Sequence, residues 1–426
     1  MTLDAFARAG RSAIETHQLA SLRTLLGRVL TGNAFQSARL GRLAWNSLED
    51  FSSHAPLTTK ADLVRDQTAH PPYGTNLTYP LDRYTRFHQT SGTTGHPMRW
   101  LDTAESWAWV VQCWMRVYQS AGVTLEDRIF FPFSFGPFLG FWAAFDAATT
   151  LGALAIPGGG LRSHARLRVM LDNQVTVLCA TPTYAIRLAE VAAHEGIDLS
   201  KSKVRRIMLA GEPGGGIPAT RTLIHSLWPG ARVVDHHGMT EIGPVTYECP
   251  VREGVLHVME GAFYPEVLDC KTHQPVPPGA EGELILTNLG RDASPLLRYR
   301  TGDLVRRSPS QVCACGSQEL AIEGGILART DEMYVVRGVN IYPSAVEAVV
   351  RSAPEVSEFR VELDRSGALL EMRLEIEPAP GCDPQDLARR VESAMQSAFA
   401  LRVPVRCVEP GTLPRFEAKA KRWVHV

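Results

Sequence analysis

Hydrophobic and polar positions repeat with two alternating periods through the first half of the chain. Short apolar runs such as RIFFPF, GALAIPG, TVLCATP and VRRIMLAG lie between about residues 75 and 230. Segments with helical periodicity, such as TYAIRLAEVAAHEG, separate them. Buried strands that alternate with amphipathic helices predict an α/β layered core. The preceding residues, 1–75, predict a mixed helical region, because Ser, Asp, Pro and Thr occupy cap positions in SLEDFSSHAPLTTKADLVRD.

The pattern changes again near Asp331. Before that point, GELILTNLG and LRYRTGDLVRRS predict β-strands. After it, SAVEAVVRSAP predicts a helix, EFRVELDRSGALLEMRLEIE a hairpin and DPQDLARRVESAMQSAF an amphipathic helix. About 95 residues of mixed structure are enough for a small domain. We therefore predict an α/β protein with a large N-terminal domain, residues 1–330, and a small α+β C-terminal domain, residues 331–426.

Charge and hydropathy exclude two classes of partner. The chain of 426 residues carries 44 Lys and Arg against 45 Asp and Glu, so no net field favours nucleic acid or an anionic membrane. The most apolar stretch, IFFPFSFGPFLGFWAAFDAATTLGALAIPGGG, is interrupted by Pro132, Pro137 and Asp146 and predicts core rather than a membrane span. Charged residues throughout MTLDAFARAGRSAIETHQLA give no export signal. We expect a cytoplasmic protein.

A polar loop, HQTSGTTGHPMR, lies between these apolar segments. Its glycines permit a close backbone approach to a ligand, and its hydroxyl and N–H groups suit anionic oxygens such as those of phosphate. The Walker spacing is missing, since no Lys follows the second glycine. Taken alone, the loop fits a surface turn as well as a phosphate site.

Five further motifs follow the loop in order: LAGEPGG, DHHGMTEIGP, LLRYRTGDLV, ARTDEMYVVRGVNIYPSAVE and FEAKAKRWV. This set, from Thr90 to Lys421, resembles the motifs of the adenylate-forming acyl-CoA synthetase superfamily and is most similar to its phenylacetate-CoA ligase branch. The resemblance implies a large α/β domain, a small mobile C-terminal domain and a reaction in two steps. A carboxylate attacks the α-phosphorus of ATP to give an acyl-adenylate and pyrophosphate, and a thiol, usually coenzyme A, then displaces AMP.

The resemblance implies a set of nucleotide contacts. The residues expected to bind ATP or AMP are Ser91, Gly92, Thr93, Thr94, Gly95, Gly211, Glu212, Pro213, Asp235, His236, His237, Asp303 and Arg329. The glycine and hydroxyl loop would hold the β and γ phosphates, and Asp303 would accept both ribose hydroxyls, with a turn aspartate as the alternative. Two histidines depart from the family pattern. Many relatives have Lys at His96, and an aromatic residue commonly stacks on adenine at His237.

The catalytic assignment falls on Lys419, Thr240 and Glu241. The ammonium of Lys419 would bridge the attacking carboxylate and the α-phosphate and neutralise charge that grows in the transition state. Lys421, two residues further on, is the alternative. Glu241 matches the residue that holds Mg²⁺, which draws the negative reactants together, and Thr240 matches an α-phosphate contact. Asp331 resembles the hinge about which the small domain turns.

The stretch FPFSFGPFLGFWAAF is expected to line the acyl pocket. Phe141 stands at a position where members of that family frequently have a glycine. Its ring would shorten the acyl-binding cavity. This favours a compact aromatic acid, such as a benzoate or phenylacetate, over a fatty chain, although plain core packing is the alternative for such rings. The expected substrate-binding residues are Phe135, Phe138, Gly140, Phe141, His236, Gly238 and Met239.

A metal site is predicted from Cys249, His257, Cys313 and Cys315. Three thiolates and an imidazole suit tetrahedral Zn²⁺, and the C-x-C-G run can turn a loop around one ion. The phenylacetate-CoA ligase branch shows a similar set, and free buried thiols are the alternative. A closed site with four protein ligands leaves no open position, so the expected role is structural.

Together these features predict an ATP-dependent aryl-acid–CoA ligase that uses ATP, Mg²⁺ and coenzyme A and carries structural Zn²⁺. A second hypothesis passes the acyl group to a carrier protein or an amine. A third is a non-catalytic nucleotide- or acyl-binding protein, which the departures at His96 and His237 permit. The sequence leaves a homodimer open.

Overall fold

The chain folds into helices and three principal sheets. A computed structural model describes residues 6–41, 43–90, 97–365, 369–417 and 419–426. The expected phosphate-loop residues, 91–95, lie outside the described residues together with His96.

The N-terminal region is helical, as predicted. Its helices are α1 (Arg11–Gly32), α2 (Ala34–Leu40), α3 (Leu48–His54) and α4 (Lys60–Ala69). The side chain of Ser47 caps α3, and Thr59 and Asp62 form a capping box at α4. Apolar residues of α1 pack with Leu289 and Leu297, which come much later in the chain. The helices therefore cover the large domain rather than standing apart from it.

A parallel sheet forms the α/β core that the apolar runs predict. The elements that lead into it are β1 (Tyr84–Gln89), β2 (Arg99–Thr103) and α5 (Ala104–Ser120). Its strands are β3 (Arg128–Phe131), β4 (Leu154–Pro157), β5 (Val177–Ala180), β6 (Arg206–Leu209) and β7 (Arg232–Asp235). The connecting helices are α6 (Leu139–Leu151), α7 (Ser163–Asp172), α8 (Pro182–His194) and α9 (Pro218–Leu227). The strand order in the described chain is β4-β3-β5-β6-β7.

Successive residues of each parallel strand face opposite layers. Ile129 and Phe131 of β3 pack with α5 and α6, whereas Phe130 packs with α7 and α8 on the other face. Both faces are thus covered, which explains why the strands are continuous apolar runs. Among the described residues, no helix combines the length and the apolar character that crossing a membrane requires.

An antiparallel sheet follows the parallel one. A short hairpin, β8 (Gly238–Met239) and β9 (Gly243–Pro244), precedes it. The larger strands are β10 (Thr246–Glu248), β11 (Val255–Val258), β12 (Phe263–Leu268), β13 (Glu281–Asn288), β14 (Tyr299–Arg307) and β15 (Ala321–Arg329). Their order within the described residues is β10-β11-β15-β14-β13-β12. The pairing of β14 with β15 sets Asp303 opposite Arg329, so both side chains reach the same end of the sheet.

The last region has its own sheet and core. A 3₁₀ turn (Thr330–Glu332) leads to β16 (Tyr334–Val336), β17 (Val339–Ile341), α10 (Pro343–Arg351), β18 (Val356–Asp364), β19 (Glu371–Pro378), α11 (Pro384–Phe399), β20 (Val405–Cys407) and β21 (Trp423–His425). Strands β18 and β19 form the predicted hairpin. Leu387, Val391 and Met395 bury one face of α11 against the sheet, as the helical spacing requires. The prediction of a large α/β domain followed by a small α+β domain is confirmed.

Candidate active site

Several predicted nucleotide residues converge where strands of the parallel sheet end. Strand β6 ends at Leu209 and leads into the GEPGGG loop, and β7 ends at Asp235 and leads into HHGMTE. Parallel strands share one carboxyl edge, and loops at that edge are the usual binding position in such sheets. Asp303 and Arg329 approach the same region from the antiparallel sheet, since Asp303 contacts His237. These residues therefore meet where the two larger sheets approach each other, a region that we call the cleft.

The glycine loop packs against Asp235 too closely for side chains. A Cβ atom at Gly215 would lie 2.2 Å from Asp235 Oδ1, and one at Gly216 would lie 2.7 Å from the carbonyl oxygen of Gly324. Asp235 is buried, and its backbone N–H donates to Glu248 at 2.8 Å. Burial and the charge of Glu248 raise the pKa of Asp235 to about 7. The floor of the cleft thus consists of the glycine backbone and the carboxyl group of Asp235, whose raised pKa favours the protonated form.

Asp303 presents a carboxylate oxygen that lacks a hydrogen-bond partner. Arg329 Nη1 donates to Asp303 Oδ1 at 2.9 Å. His237 Nε2 lies 2.9 Å from Oδ2, but at an angle that leaves both atoms without a hydrogen bond among the described residues. Although burial opposes ionisation, His237 and Arg329 hold the pKa of Asp303 below its ordinary value. Because buried acceptors are normally satisfied, Oδ2, which has only this ion-pair contact with His237 among the described residues, is suited to a hydroxyl group of a ligand.

Arg329 also contacts the predicted hinge residue. Its Nε and Nη2 atoms donate to the two carboxylate oxygens of Asp331 at 2.9 and 3.0 Å. The guanidinium therefore joins Asp303 of the large domain to the 3₁₀ turn that precedes the C-terminal sheet. Such a forked contact fixes orientation as well as distance.

Glu241 is buried and is held by an arginine that sequence reasoning missed. Burial raises the pKa of Glu241 above its ordinary value. Arg291 Nη1 donates to the carbonyl oxygens of Thr240 and Glu241, at 2.8 and 3.1 Å. Its other nitrogens donate to Asp102 at 2.8 and 2.6 Å, and both side chains of this ion pair are 0% exposed. The pair fixes the turn that presents Glu241 to the cleft.

Lys419 comes from the C-terminal domain and reaches this cleft. A Cβ atom at Gly211 would lie 3.5 Å from Lys419 Cε, so the lysine stem crosses the start of the glycine loop. Lys419 is exposed to solvent. Desolvation lowers the pKa of its ammonium, and the carboxylates of Glu212, Glu332 and Glu241 oppose that change. Lys421, the alternative, is also exposed, so solvent exposure does not distinguish the two lysines.

The carboxylate of Glu212 contacts backbone donors from both domains. Thr183 N–H, in the first turn of α8, donates to Oε1 at 2.8 Å. Ala420 N–H, the residue after Lys419, donates to Oε2 at 2.9 Å. The sequence placed Glu212 among the expected nucleotide contacts, and nothing in the sequence indicated this bridge between domains.

The expected acyl-pocket residues include a packed group of aromatic rings. Phe141 stacks on Phe133 with ring centroids 4.0 Å apart, and Phe138 lies 5.9 Å from Phe141. Phe135 packs against Trp142 at 4.8 Å. The hairpin β8–β9 contacts the helix α6, which carries Phe141 and Trp142.

The remaining pocket candidates lie on or beside that hairpin and helix. A Cβ atom at Gly238 would lie 2.8 Å from the carbonyl oxygen of Gly243, so the hairpin requires this glycine, whereas one at Gly140 would meet open space. Met239 is partly buried against the main core. His236 meets the edge of the Trp114 ring at 4.2 Å, burial lowers its pKa to about 3, and its Nδ1 has no partner among the described residues. His236 is therefore a neutral imidazole at neutral pH.

The four predicted metal ligands lie together. Their donor atoms, from Cys249, His257, Cys313 and Cys315, are all within 4.8 Å of one another. Cys249 Sγ is 3.7 Å from Cys313 Sγ, and Cys315 Sγ is 3.5 Å from His257 Nε2. A tetrahedron with zinc–sulfur bonds of about 2.3 Å and a zinc–nitrogen bond of about 2.0 Å has edges of about 3.8 and 3.5 Å. The donor set and its spacing thus fit Zn²⁺.

Comparison with known proteins gives matches over both domains. Residues 84–290 match the family model described as AMP-binding enzyme, and residues 338–425 match the AMP-binding enzyme C-terminal domain. The phenylacetate-coenzyme A ligase of Pseudomonas putida is 30% identical over 435 residues, which cover 98% of this chain and 95% of that protein.

One relative of known structure has been solved in two states, and the two structures match this chain to different degrees. A 2-hydroxyisobutyryl-CoA ligase in the postadenylation state, bound to R3-HIB-AMP, superposes with a TM-score of 0.92 at 25% identity over 99% of this chain and 91% of that one. The same ligase in the thioesterification state, with 2-HIB-AMP and CoA, gives 0.71 at 26% identity over 98% and 91%. Because identity and coverage are nearly equal, the difference in TM-score reflects how the parts of the chain are arranged.

Proposed function

Since this chain belongs to the family of AMP-binding, adenylate-forming enzymes, we propose that it is an ATP-dependent acid–CoA ligase that forms an acyl-adenylate intermediate. The observation that carries this proposal is the position of Lys419. Its side chain extends from the C-terminal domain across Gly211, at the edge of the cleft that contains Asp303 and Glu241. A cation at that position faces the place where negative charge develops during adenylation.

The described residues supply the remaining parts of the first half-reaction. The Oδ2 atom of Asp303, which also contacts His237, would accept a hydroxyl of the ribose, and Arg329 holds the carboxylate in place. Residues 91–95 would hold the β and γ phosphates. Glu241 would hold Mg²⁺, which when bound neutralises phosphate charge during in-line attack by the carboxylate. The ammonium of Lys419 would stabilise the negative charge that develops on the oxygens of the five-coordinate phosphorus.

The arrangement of the domains corresponds to the first half-reaction. The relative in its postadenylation state matches more closely than the same relative in its thioesterification state. We infer that the C-terminal domain, from residue 331 onwards, turns about Asp331 before the thiol displaces AMP. In the starting arrangement Arg329 holds Asp331 by two hydrogen bonds, and these must rearrange during the turn.

The acid we propose is a compact aromatic carboxylate. The stacked pair of Phe133 and Phe141, with Phe135 and Phe138 beside it, supplies flat apolar surface on the side of the cleft that α6 covers. Rings favour offset or edge contacts with other rings, which a benzoate or phenylacetate offers and a fatty chain does not. The curated relative in Pseudomonas putida is named for phenylacetate, which agrees with this class.

We further propose that the protein binds one Zn²⁺ ion in a structural role. Cys249, His257, Cys313 and Cys315 would hold it and tie β10 and β11 to the loop before β15. The site has no open position, so we assign it no step of the reaction.

A pyrophosphate-release screen over aromatic acids, with and without coenzyme A, tests the function. Acid-dependent pyrophosphate that turns over only with coenzyme A supports the ligase. A single turnover that coenzyme A does not relieve supports transfer to a carrier protein or an amine. Absence of acid-dependent pyrophosphate with every acid contradicts the enzyme and favours the binding protein.

A further inference from the structure

Glu212 connects the large domain to the residue that follows Lys419. Its two carboxylate oxygens each accept one backbone hydrogen bond, from Thr183 and from Ala420. Both donors belong to the main chain, so the bridge fixes the path of the backbone rather than the position of a flexible side chain. A fixed peptide beside Lys419 limits where its ammonium can lie.

The large-domain end of this bridge is rigid. Thr183 lies in the first turn of α8, where backbone N–H groups have no helical partner and the helix dipole favours a negative charge. Thr181 caps the same turn by accepting from Tyr184 at 3.2 Å. Gly211, immediately before Glu212, has a φ of +94°, which turns the chain so that the carboxylate reaches α8.

Other contacts between the domains include a hydrogen bond from Arg422 Nη1 to Thr183 Oγ1 at 3.3 Å and two ion pairs. Arg415 lies 3.6 Å from Glu190, and Arg166 lies 3.4 Å from Glu417, whose side chain is 56% exposed. Ion pairs that keep part of their surface in water contribute little. The bridge from Glu212 is different, because both of its oxygens accept charge-assisted bonds and one donor is adjacent to the lysine.

We propose that Glu212 is a positioning residue for the adenylation half-reaction, holding the peptide after Lys419 so that the ammonium lies over the cleft. The inference rests on the proposed function and adds a role in the domain cycle. The bond to Ala420 exists only while the C-terminal domain is closed on α8, so it must break before the thiol step. Glu212 therefore favours the first half-reaction and contributes nothing to the second.

The substitution Glu212→Gln tests this role. An amide has one acceptor oxygen, and its NH₂ group would face a backbone N–H, so only one of the two bonds can remain. The expected result is about a ten- to hundred-fold loss in the rate of acid-dependent pyrophosphate formation, the scale of one charge-assisted bond and its unpaired donor. Thiolysis of supplied phenylacetyl-AMP by coenzyme A should stay within about two-fold of the wild type. A general folding defect would lower both rates.

Two further variants define the mechanism. Glu212→Asp keeps the charge but shortens the reach by one methylene, so it should also lose pyrophosphate formation. Full activity in Glu212→Asp would mean that the carboxylate acts on Lys419 through its charge alone and would overturn the bridge. Glu190→Gln is the matched control, since it removes an interdomain ion pair on α8 and should change neither half-reaction by more than about two-fold.

Small-angle X-ray scattering of the full chain separates this inference from the function. The wild type should scatter as the closed arrangement, and Glu212→Gln should shift towards a more open one, whether or not phenylacetate is a substrate. A more open Glu212→Gln with an inactive wild type would contradict the function for that acid and keep the bridge. Equal scattering, or equal loss of both half-reactions, would overturn the bridge.

Discussion

Replacing Asp102 by Asn should strongly destabilise the protein. Asp102 accepts two hydrogen bonds from Arg291, at 2.8 and 2.6 Å, and a third from Ser106 Oγ at 2.5 Å. Both members of the ion pair are fully buried. The substitution leaves the guanidinium charge without a counter-charge away from water, which costs about 3–5 kcal/mol. This is a large part of the typical stability of a folded domain.

The substitution Asp102→Asn should also weaken the binding of magnesium–ATP at the active site. Arg291 holds the carbonyl oxygens of Thr240 and Glu241. When the guanidinium loses its anchor on Asp102, the turn that presents Glu241 gains freedom, and the KM for magnesium–ATP should rise. Denaturant unfolding measures the stability, and pyrophosphate release at varied magnesium–ATP measures the KM.

Two controls accompany this prediction. Glu281→Gln removes the partner of Arg306 in an exposed pair, 45% and 48% exposed, and should cost less than about 1 kcal/mol. The double variant Asp102→Leu with Arg291→Met removes both charges and should recover part of the loss. A cost below about 1 kcal/mol for Asp102→Asn, with an unchanged KM, would refute the reasoning.

Three other predictions concern the lysine, the metal site and a buried histidine. Lys419→Ala should abolish pyrophosphate formation and spare thiolysis of supplied adenylate, whereas Lys421→Ala should retain both; the reverse result would assign adenylation to Lys421. Purified protein should contain about one zinc per chain by elemental analysis, and Cys315→Ser should lose zinc and melt at a lower temperature; zinc-free protein of unchanged melting temperature would contradict the site. Burial lowers the pKa of His88 from 6.5 to about 4, so the unfolded state takes up a proton first and stability is lost as pH falls through this window. Relative to His88→Gln, the wild type should lose about 2 kcal/mol between pH 7.5 and pH 5 in denaturant unfolding, and a difference independent of pH would contradict the assignment.

The sequence predicted those parts of the fold that depend on local pattern. Apolar runs gave the parallel strands because both faces of that sheet are covered, and the cap signal at Thr59 corresponds to a real capping box. The spacing of Leu387, Val391 and Met395 gave the buried face of α11. In each case the residues that determine the structure lie within a few positions of one another.

Contacts between distant parts of the chain were not predictable in the same way. Asp102 and Arg291 are 189 residues apart, and neither lies in a sequence motif that indicates a contact with the other. The bridge through Glu212 depends on how the C-terminal domain sits on α8, which no local period encodes. The motif near the C-terminus supplied two candidate lysines, and only the three-dimensional arrangement shows which of them crosses Gly211.

The close packing of Gly215 on Asp235 has a consequence for attempts to redesign this protein. A methyl group at position 215 would overlap a carboxylate oxygen, whereas a methyl group at Gly140 would meet open space. Directed evolution should therefore leave the triglycine segment unchanged and concentrate its codon randomisation on the start of α6.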